Sequence, residues 1–199
     1  MIGRHRDVVM PNMLTDKTKY NGSEANDIAV LVLSSPIPRT NCTETIDFAS
    51  ETPQAGSWAL TTGWGQIVDS INGFYPETLK GAYVLIEDHE SCRKAYDKKW
   101  ACGPNTTVTN EMVCVHGKNQ GPCRGDSGGP LVSISDKQLI GITSWSVHCG
   151  HPYFPDVFTD VIVLKDWILR TRNSVHVPST AFFMNVGAHG NYTDELKVG

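Results

Sequence analysis

Gly125-Asp126-Ser127-Gly128-Gly129-Pro130 is the stretch that decides the fold. Glycines on both sides keep bulk away from the Ser127 hydroxyl and let the chain turn tightly around it. Such a turn aims the N–H groups of Gly125 and Ser127 at one point. Two converging donors there stabilise the oxyanion formed when a serine attacks a carbonyl. Gly, Ser and Asp also make ordinary surface turns. The whole hexapeptide, with Cys123 before it and the apolar pair Leu131-Val132 after it, points instead to a nucleophile.

Around this loop the chain reads as short strands. Ile28 to Leu33 is an unbroken apolar run stopped by Ser34-Ser35-Pro36, the pattern of a strand buried on both faces. Ser57 to Thr62, Ala82 to Ile86, Leu131 to Ile134 and Leu139 to Trp145 are similar runs bounded by turn residues. Glu90 to Tyr96 has the length of a short helix. Val163 to Arg172 places Val163, Leu164, Trp167 and Ile168 at helical spacing and ends in basic residues suited to a helix C-terminus. Many strands separated by frequent turns predict an all-β barrel or sandwich.

Composition narrows the function classes. A chain of 199 residues can bury a substantial core. The formal charge of −4 excludes a nucleic-acid partner that needs a basic surface. No run approaches the roughly 18 apolar residues that span a bilayer, so no membrane partner is expected. Met1 to Met13 includes Arg4, His5, Arg6 and Asp7 and has no apolar signal-peptide core. Six cysteines suggest an oxidising compartment. No two have Cys-x-x-Cys spacing, so no metal site is predicted, and no cofactor is expected. Asn21-Gly22-Ser23, Asn41-Cys42-Thr43, Asn105-Thr106-Thr107 and Asn191-Tyr192-Thr193 are glycosylation acceptors by pattern. The expected location is secreted or extracellular.

Gly-Asp-Ser-Gly-Gly-Pro resembles the nucleophile motif of the trypsin/chymotrypsin-like serine peptidases. Four further segments fit that family in the same order. Asn26-Asp27-Ile28-Ala29-Val30-Leu31 resembles its triad-aspartate segment, and Thr62-Gly63-Trp64-Gly65 its Gly-Trp-Gly turn. Ile142-Thr143-Ser144-Trp145 resembles the strand that pairs with substrate backbone. Val157 to Val161, followed by Asp166-Trp167-Ile168, resembles the last strand and C-terminal helix. The resemblance runs from about Ile2 to Asn173. It implies the two-barrel peptidase fold with a short C-terminal helix. Residues 55–160 would form a nearly complete second barrel, and residues 1–54 only the later strands of the first. An incomplete barrel leaves unpaired strand edges, which are association hazards. Residues 1–173 are read as one peptidase domain lacking its N-terminal portion. Residues 174–199 are read as an added disordered tail, whose apolar patch Ala181-Phe182-Phe183-Met184 docks on the body.

By the same resemblance Ser127 is the nucleophile, Asp27 the carboxylate that orients a histidine, and the N–H groups of Gly125 and Ser127 the oxyanion hole. In the family the histidine precedes the aspartate by about 45 residues, and the aspartate precedes the serine by about 93. Here only His5 lies upstream of Asp27, in Gly3-Arg4-His5-Arg6, which does not match the family's histidine segment. The general base is therefore not expected within this chain, and the chain as written is expected to be inactive. A non-catalytic homologue that binds a partner is the alternative. Asp126 corresponds to the residue that pairs with the new amino terminus of activated peptidases. Without that partner it would turn outward or take up a proton.

The resemblance also implies substrate contacts. Ser144, Trp145 and Ser146 would pair with substrate backbone. Gly121 would form the pocket floor, while Ser146 and Asp156 take positions at the entrance and wall where the family usually has glycine. Asp156 would favour Arg or Lys before the scissile bond. The implied partners are protein or peptide substrates and proteinaceous inhibitors. Cys123 and Cys149 are expected to form one family bridge and Cys92 and Cys114 another. The positions of a third hold Ala59 and Ser133. Cys42 and Cys102 remain, to pair with each other or, for Cys42, with a cysteine outside this chain.

Overall fold

In a computed structural model, residues 14–15, 25–33, 36–97, 107–174 and 181–184 are described. Six strands close a barrel: β3 (Trp58–Gly63), β4 (Lys80–Ile86), β5 (Met112–His116), β6 (Pro130–Ser133), β7 (Leu139–Trp145) and β8 (Asp156–Asp160). Their order around the barrel is β3-β4-β5-β8-β7-β6, and every paired neighbour is antiparallel. Closure removes the free edges that an open sheet would carry. Inside, Ala59, Val84, Ile86, Val113, Val115, Leu131, Ile140 and Phe158 form one cluster. Phe158 is fully buried, and burial of a side chain of that size contributes about 1.5–3 kcal/mol.

Three strands lie outside the barrel in a separate sheet: β1 (Leu14–Thr15), β2 (Ala29–Val32) and β9 (Ala181–Met184), in the order β1-β2-β9. Between the two sheets sits a second cluster of Ile28, Leu139, Ile142, Val161, Leu164 and Ile168. It packs the start of β2 against the barrel through the helix α2 (Lys165–Ser174). The turn into α2 is held by Asp160, whose Oδ1 accepts from the N–H groups of Ile162 (2.8 Å) and Val163 (3.1 Å). Helix α1 (His89–Tyr96) starts at Asp88, whose side chain caps it by accepting from Ser91 N–H at 2.9 Å. Its buried Cys92 is bonded to Cys114 of β5, with Cα atoms 6.3 Å apart.

The all-β architecture, with its closed six-strand barrel and short C-terminal helix, follows the family expectation. Two local readings change. Met112–His116 is a strand that the coarse pattern passed over, because a run of five residues holding Met, Cys and His gives little strand signal. The patch Ala181-Phe182-Phe183-Met184, expected to dock on the body, does so as a β-strand on β2, which the reading as a disordered tail did not include; the rest of residues 175–199 lies outside the described residues. Ala59 and Ser133, the positions of the missing third bridge, are direct partners across the β3–β6 ladder. Cys42 is exposed and carries no disulfide among the described residues, and Cys102 lies outside them. Asn41 is exposed in the Thr40–Thr43 turn, whereas Asn21, Asn105 and Asn191 also lie outside the described residues.

Candidate active site

The Ser127 loop connects Cys123 to β6. Gly125 and Gly128 adopt φ of +97° and +81°, a region glycine enters without steric cost. These two turns leave Ser127 exposed at the tip. Asp126 N–H donates to Cys123 O (2.9 Å) and Gly129 N–H to Asp126 O (2.8 Å). Among the described residues no hydrogen bond engages the N–H of Gly125 or of Ser127, so both remain available as donors. A side chain at Gly125 would stand 3.2 Å from the Tyr75 ring and 3.3 Å from Gly65 Cα. Tyr75 thus borders the Ser127 loop, a neighbour that no sequence motif marks.

The loop is fastened to β7. Gly128 N–H donates to Thr143 O at 3.0 Å, Thr143 N–H to Gly129 O at 2.9 Å, and the Thr143 hydroxyl to the same oxygen at 3.2 Å. The next residue on β7 reaches the other half of the site. The β7–β8 register passes from Thr143↔Phe158 to Trp145↔Val157, so Ser144 is the extra residue of a bulge. Its hydroxyl donates to Asp27 Oδ2 at 2.8 Å. Asp27 is buried at the entry to β2, and its main-chain oxygen accepts from the Thr159 hydroxyl at 2.8 Å. Asn26, at φ +57°, makes the turn that presents it, with Ile28 N–H donating to Asn26 O at 2.8 Å. Asparagine tolerates that left-handed conformation better than most residues. A continuous relay of main-chain and hydroxyl contacts therefore joins the Ser127 loop to Asp27.

Asp126 does not turn to solvent. Its Oδ1 accepts from Gly65 N–H at 2.7 Å and its Oδ2 from Cys123 N–H at 2.9 Å. Two main-chain donors thus hold the Asp126 side chain inward. The space exists because Gly63 and Gly65 lack side chains. A Cβ at Gly63 would lie 1.9 Å from Asp126 Oδ1, and one at Gly65 2.4 Å from its Cγ. Both glycines, with Gly121, Cys123, Asp126 and Cys149, line a cleft of about 340 Å³.

Cys123 and Cys149 are bonded with Cα atoms 4.8 Å apart, fixing the Ser127 loop to the segment after β7. Behind that bridge Asp156, the first residue of β8, is 1% exposed. Its Oδ2 sits where a side chain at Gly121 would begin, 2.2 Å from that position. Burial pushes the Asp156 carboxyl up to about 7, against the pull of the Ser146 hydroxyl and the Gly150 N–H. Its Oδ1 is buried and has no hydrogen-bond partner among the described residues. The residues chosen for floor, entrance and wall thus meet, with the carboxylate arriving from the side. Trp145 packs edge-on against Tyr96, ring centroids 4.8 Å apart, and anchors the end of β7.

The four described histidines are engaged elsewhere. His89 Nε2 meets Thr109 O (3.0 Å), His116 Nε2 meets Pro152 O (2.9 Å), and His148 Nδ1 meets Asp69 Oδ2 (2.9 Å). His151 Nδ1 accepts from Tyr153 N–H at 3.1 Å and Phe154 N–H at 3.2 Å. His5, His176 and His189 lie outside the described residues. Among the described residues no helix is long and apolar enough to cross a membrane.

A family model described as Trypsin matches residues 5–168. The chain is 38% identical over 170 residues to kallikrein 1-related peptidase b27 of Mus musculus, covering 84% of this chain and 60% of that protein. It is 37% identical over 149 residues to trypsin iota of Drosophila melanogaster, covering 75% and 56%. Among solved structures, neuropsin, described as a serine protease expressed in the limbic system of mouse brain, matches with a TM-score of 0.72 at 29% identity. That match covers 83% of this chain and 71% of the other. The chain spans less than two thirds of the length of either sequence relative.

Proposed function

The chain belongs to the trypsin family, and from that premise we propose that it carries the nucleophile half of a secreted serine endopeptidase. Ser127 attacks the scissile carbonyl of a protein or peptide. The N–H groups of Gly125 and Ser127 stabilise the oxyanion, and Asp27 orients the histidine that takes the serine's proton. The relay from the Ser127 loop through Thr143 and Ser144 to Asp27 carries this reading. It keeps nucleophile and carboxylate in one frame, as a shared catalytic unit requires. The cleft beside Asp126 is in keeping with a seat for an activating amino terminus.

The pocket bounded by Gly121, Ser146 and Asp156 takes Arg or Lys before the scissile bond. A cation there supplies the partner that the buried carboxylate lacks. It holds Asp156 ionised, so benzamidinium should bind tighter by about tenfold per pH unit from pH 5 to 7, then level off. Asp156→Asn should abolish that dependence. Equal binding by both proteins would remove Asp156 from the pocket.

The four described histidines make contacts elsewhere, so peptide turnover by this chain alone is expected to stay at background. Loss of the serine or the histidine of such a triad lowers kcat by about 10⁶, or roughly 8 kcal/mol of transition-state stabilisation. A fluorophosphonate probe tests this. Slow labelling confined to Ser127 is expected, and labelling as fast as in an active peptidase would refute it. A partner-binding homologue without catalysis is the second reading, favoured by the separate engagement of all four described histidines. It requires that Ser127 remain unreactive when a complete triad is supplied by extending the chain upstream.

A further inference from the structure

Strand β2 has two edges, and each is taken by a segment far from it in sequence or short in extent. On one side β1 contributes two paired residues, Leu14↔Val30 and Thr15↔Ala29. On the other, β9 pairs along the whole of β2: Ala29↔Met184, Val30↔Phe183, Leu31↔Phe182 and Val32↔Ala181. The family match ends at residue 168, so strand β9 comes from outside the matched region. Its sequence, Ala-Phe-Phe-Met, suits an extended strand.

An edge strand offers a row of main-chain donors and acceptors to any extended segment of matching register. We propose that the edge of β2 paired with β9 is a strand-acceptor site whose resident ligand is the chain's own Ala181–Met184, exchangeable for the same segment supplied in trans. Recognition is by the main-chain ladder, as in strand addition generally. Attachment in cis is favoured by chain length. Helix α2 ends at Ser174 and lies against β2, and six residues separate it from Ala181. Six residues reach at most about 20 Å, so the segment is always presented near its site, at an effective concentration on the order of millimolar.

The site bears on the candidate active site through position alone. Ala29, opposite Met184, is two residues from Asp27. Occupancy of the edge therefore fixes the strand on which the buried carboxylate is mounted. The inference does not depend on catalysis, and it stands or falls separately from the proposed peptidase chemistry.

The test uses the full chain and amide hydrogen exchange. Proline has no N–H and cannot donate to a ladder, and neighbouring N–H groups of a strand point to opposite sides, so Phe182→Pro combined with Phe183→Pro removes the mid-strand donor to β2 whichever of the two supplies it. Exchange at Ala29–Val32 should quicken at least tenfold, while Leu139–Trp145 in the barrel keeps its protection. A synthetic peptide of residues 178–187, added to that variant, should restore the slow exchange. The same peptide with Phe182 and Phe183 replaced by proline should not. Unchanged exchange at Ala29–Val32 in the variant would overturn the proposal. So would a peptide without effect, which would show that the edge accepts no strand in trans. Equal quickening throughout the barrel would also overturn it, because β9 would then be part of the general fold and not the occupant of a discrete site.

Discussion

Replacing Asp156 by asparagine should make the protein more stable at neutral pH and leave it little changed in acid. Asp156 is 1% exposed, and its carboxyl is raised from 3.8 to about 7, burial being the largest cause. The folded protein therefore keeps a proton that the unfolded chain gives up. Between about pH 4 and pH 7 unfolding releases that proton, so stability falls as pH rises. The contribution of the protonated group is fully present below the unfolded value and lost as pH rises through 7. Three units at about 1.4 kcal/mol each amount to about 4 kcal/mol. For a chain of this size that corresponds to a melting shift on the order of 10 °C. Asparagine keeps the shape and cannot ionise. Asp160 is also raised by burial, but it is common to both proteins and drops out of the difference. Urea unfolding at each unit from pH 4 to 8, with disulfides intact, gives the two stability curves. The variant should gain on the parent by about 4 kcal/mol across that range, nearly all of it before pH 7. Parallel curves would refute the reasoning, since they would mean that Asp156 stays ionised in the folded protein throughout.

Two further outcomes are expected. Ser144→Ala removes a hydroxyl donor from the buried Asp27 carboxylate and should cost about 1.5–3 kcal/mol by denaturant unfolding; a loss below 0.5 kcal/mol would mean that the bond at 2.8 Å contributes nothing net. Gly63→Ala places a methyl group 1.9 Å from Asp126 Oδ1, so the carboxylate must leave its cradle; cleavage of the Ser127 loop by an added protease should quicken, and an unchanged digestion pattern would contradict the tightness of that contact.

Much of the barrel was legible because its strands are short apolar runs between glycine and proline turns. Leu139–Trp145 and the two helices fall within one or two residues of their sequence-based limits. The Ser127 loop was legible for a local reason, since a tight turn around an exposed hydroxyl demands glycine at fixed places. What escaped was non-local. Tyr75 reaches the Ser127 loop from a separate segment, and no spacing rule connects residues 75 and 125. The two N–H donors to Asp126 come from the main chain, which has no letter in the sequence, and so the expectation of an outward carboxylate failed. The tail's four-residue strand depends on a partner about 150 positions earlier, and composition alone could not select that pairing.

Ala59 and Ser133 stand opposite each other on the β3–β6 seam, where neighbouring Cα atoms of an antiparallel pair lie about 4.5–5.5 Å apart. Both covalent staples of the described chain lie elsewhere, one at α1 and one behind the Ser127 loop. Like the other ladders of the barrel, the seam is thus held by hydrogen bonds and packing without a disulfide across it. A crosslink there would enclose residues 59 to 133 and restrict the unfolded chain by about 4 kcal/mol in the loop-entropy picture. Lacking it, the cylinder behaves as a sheet rolled up and fastened by hydrogen bonds. Parting β3 from β6 would carry away the strand end that bears the Gly63 side of the Asp126 cradle.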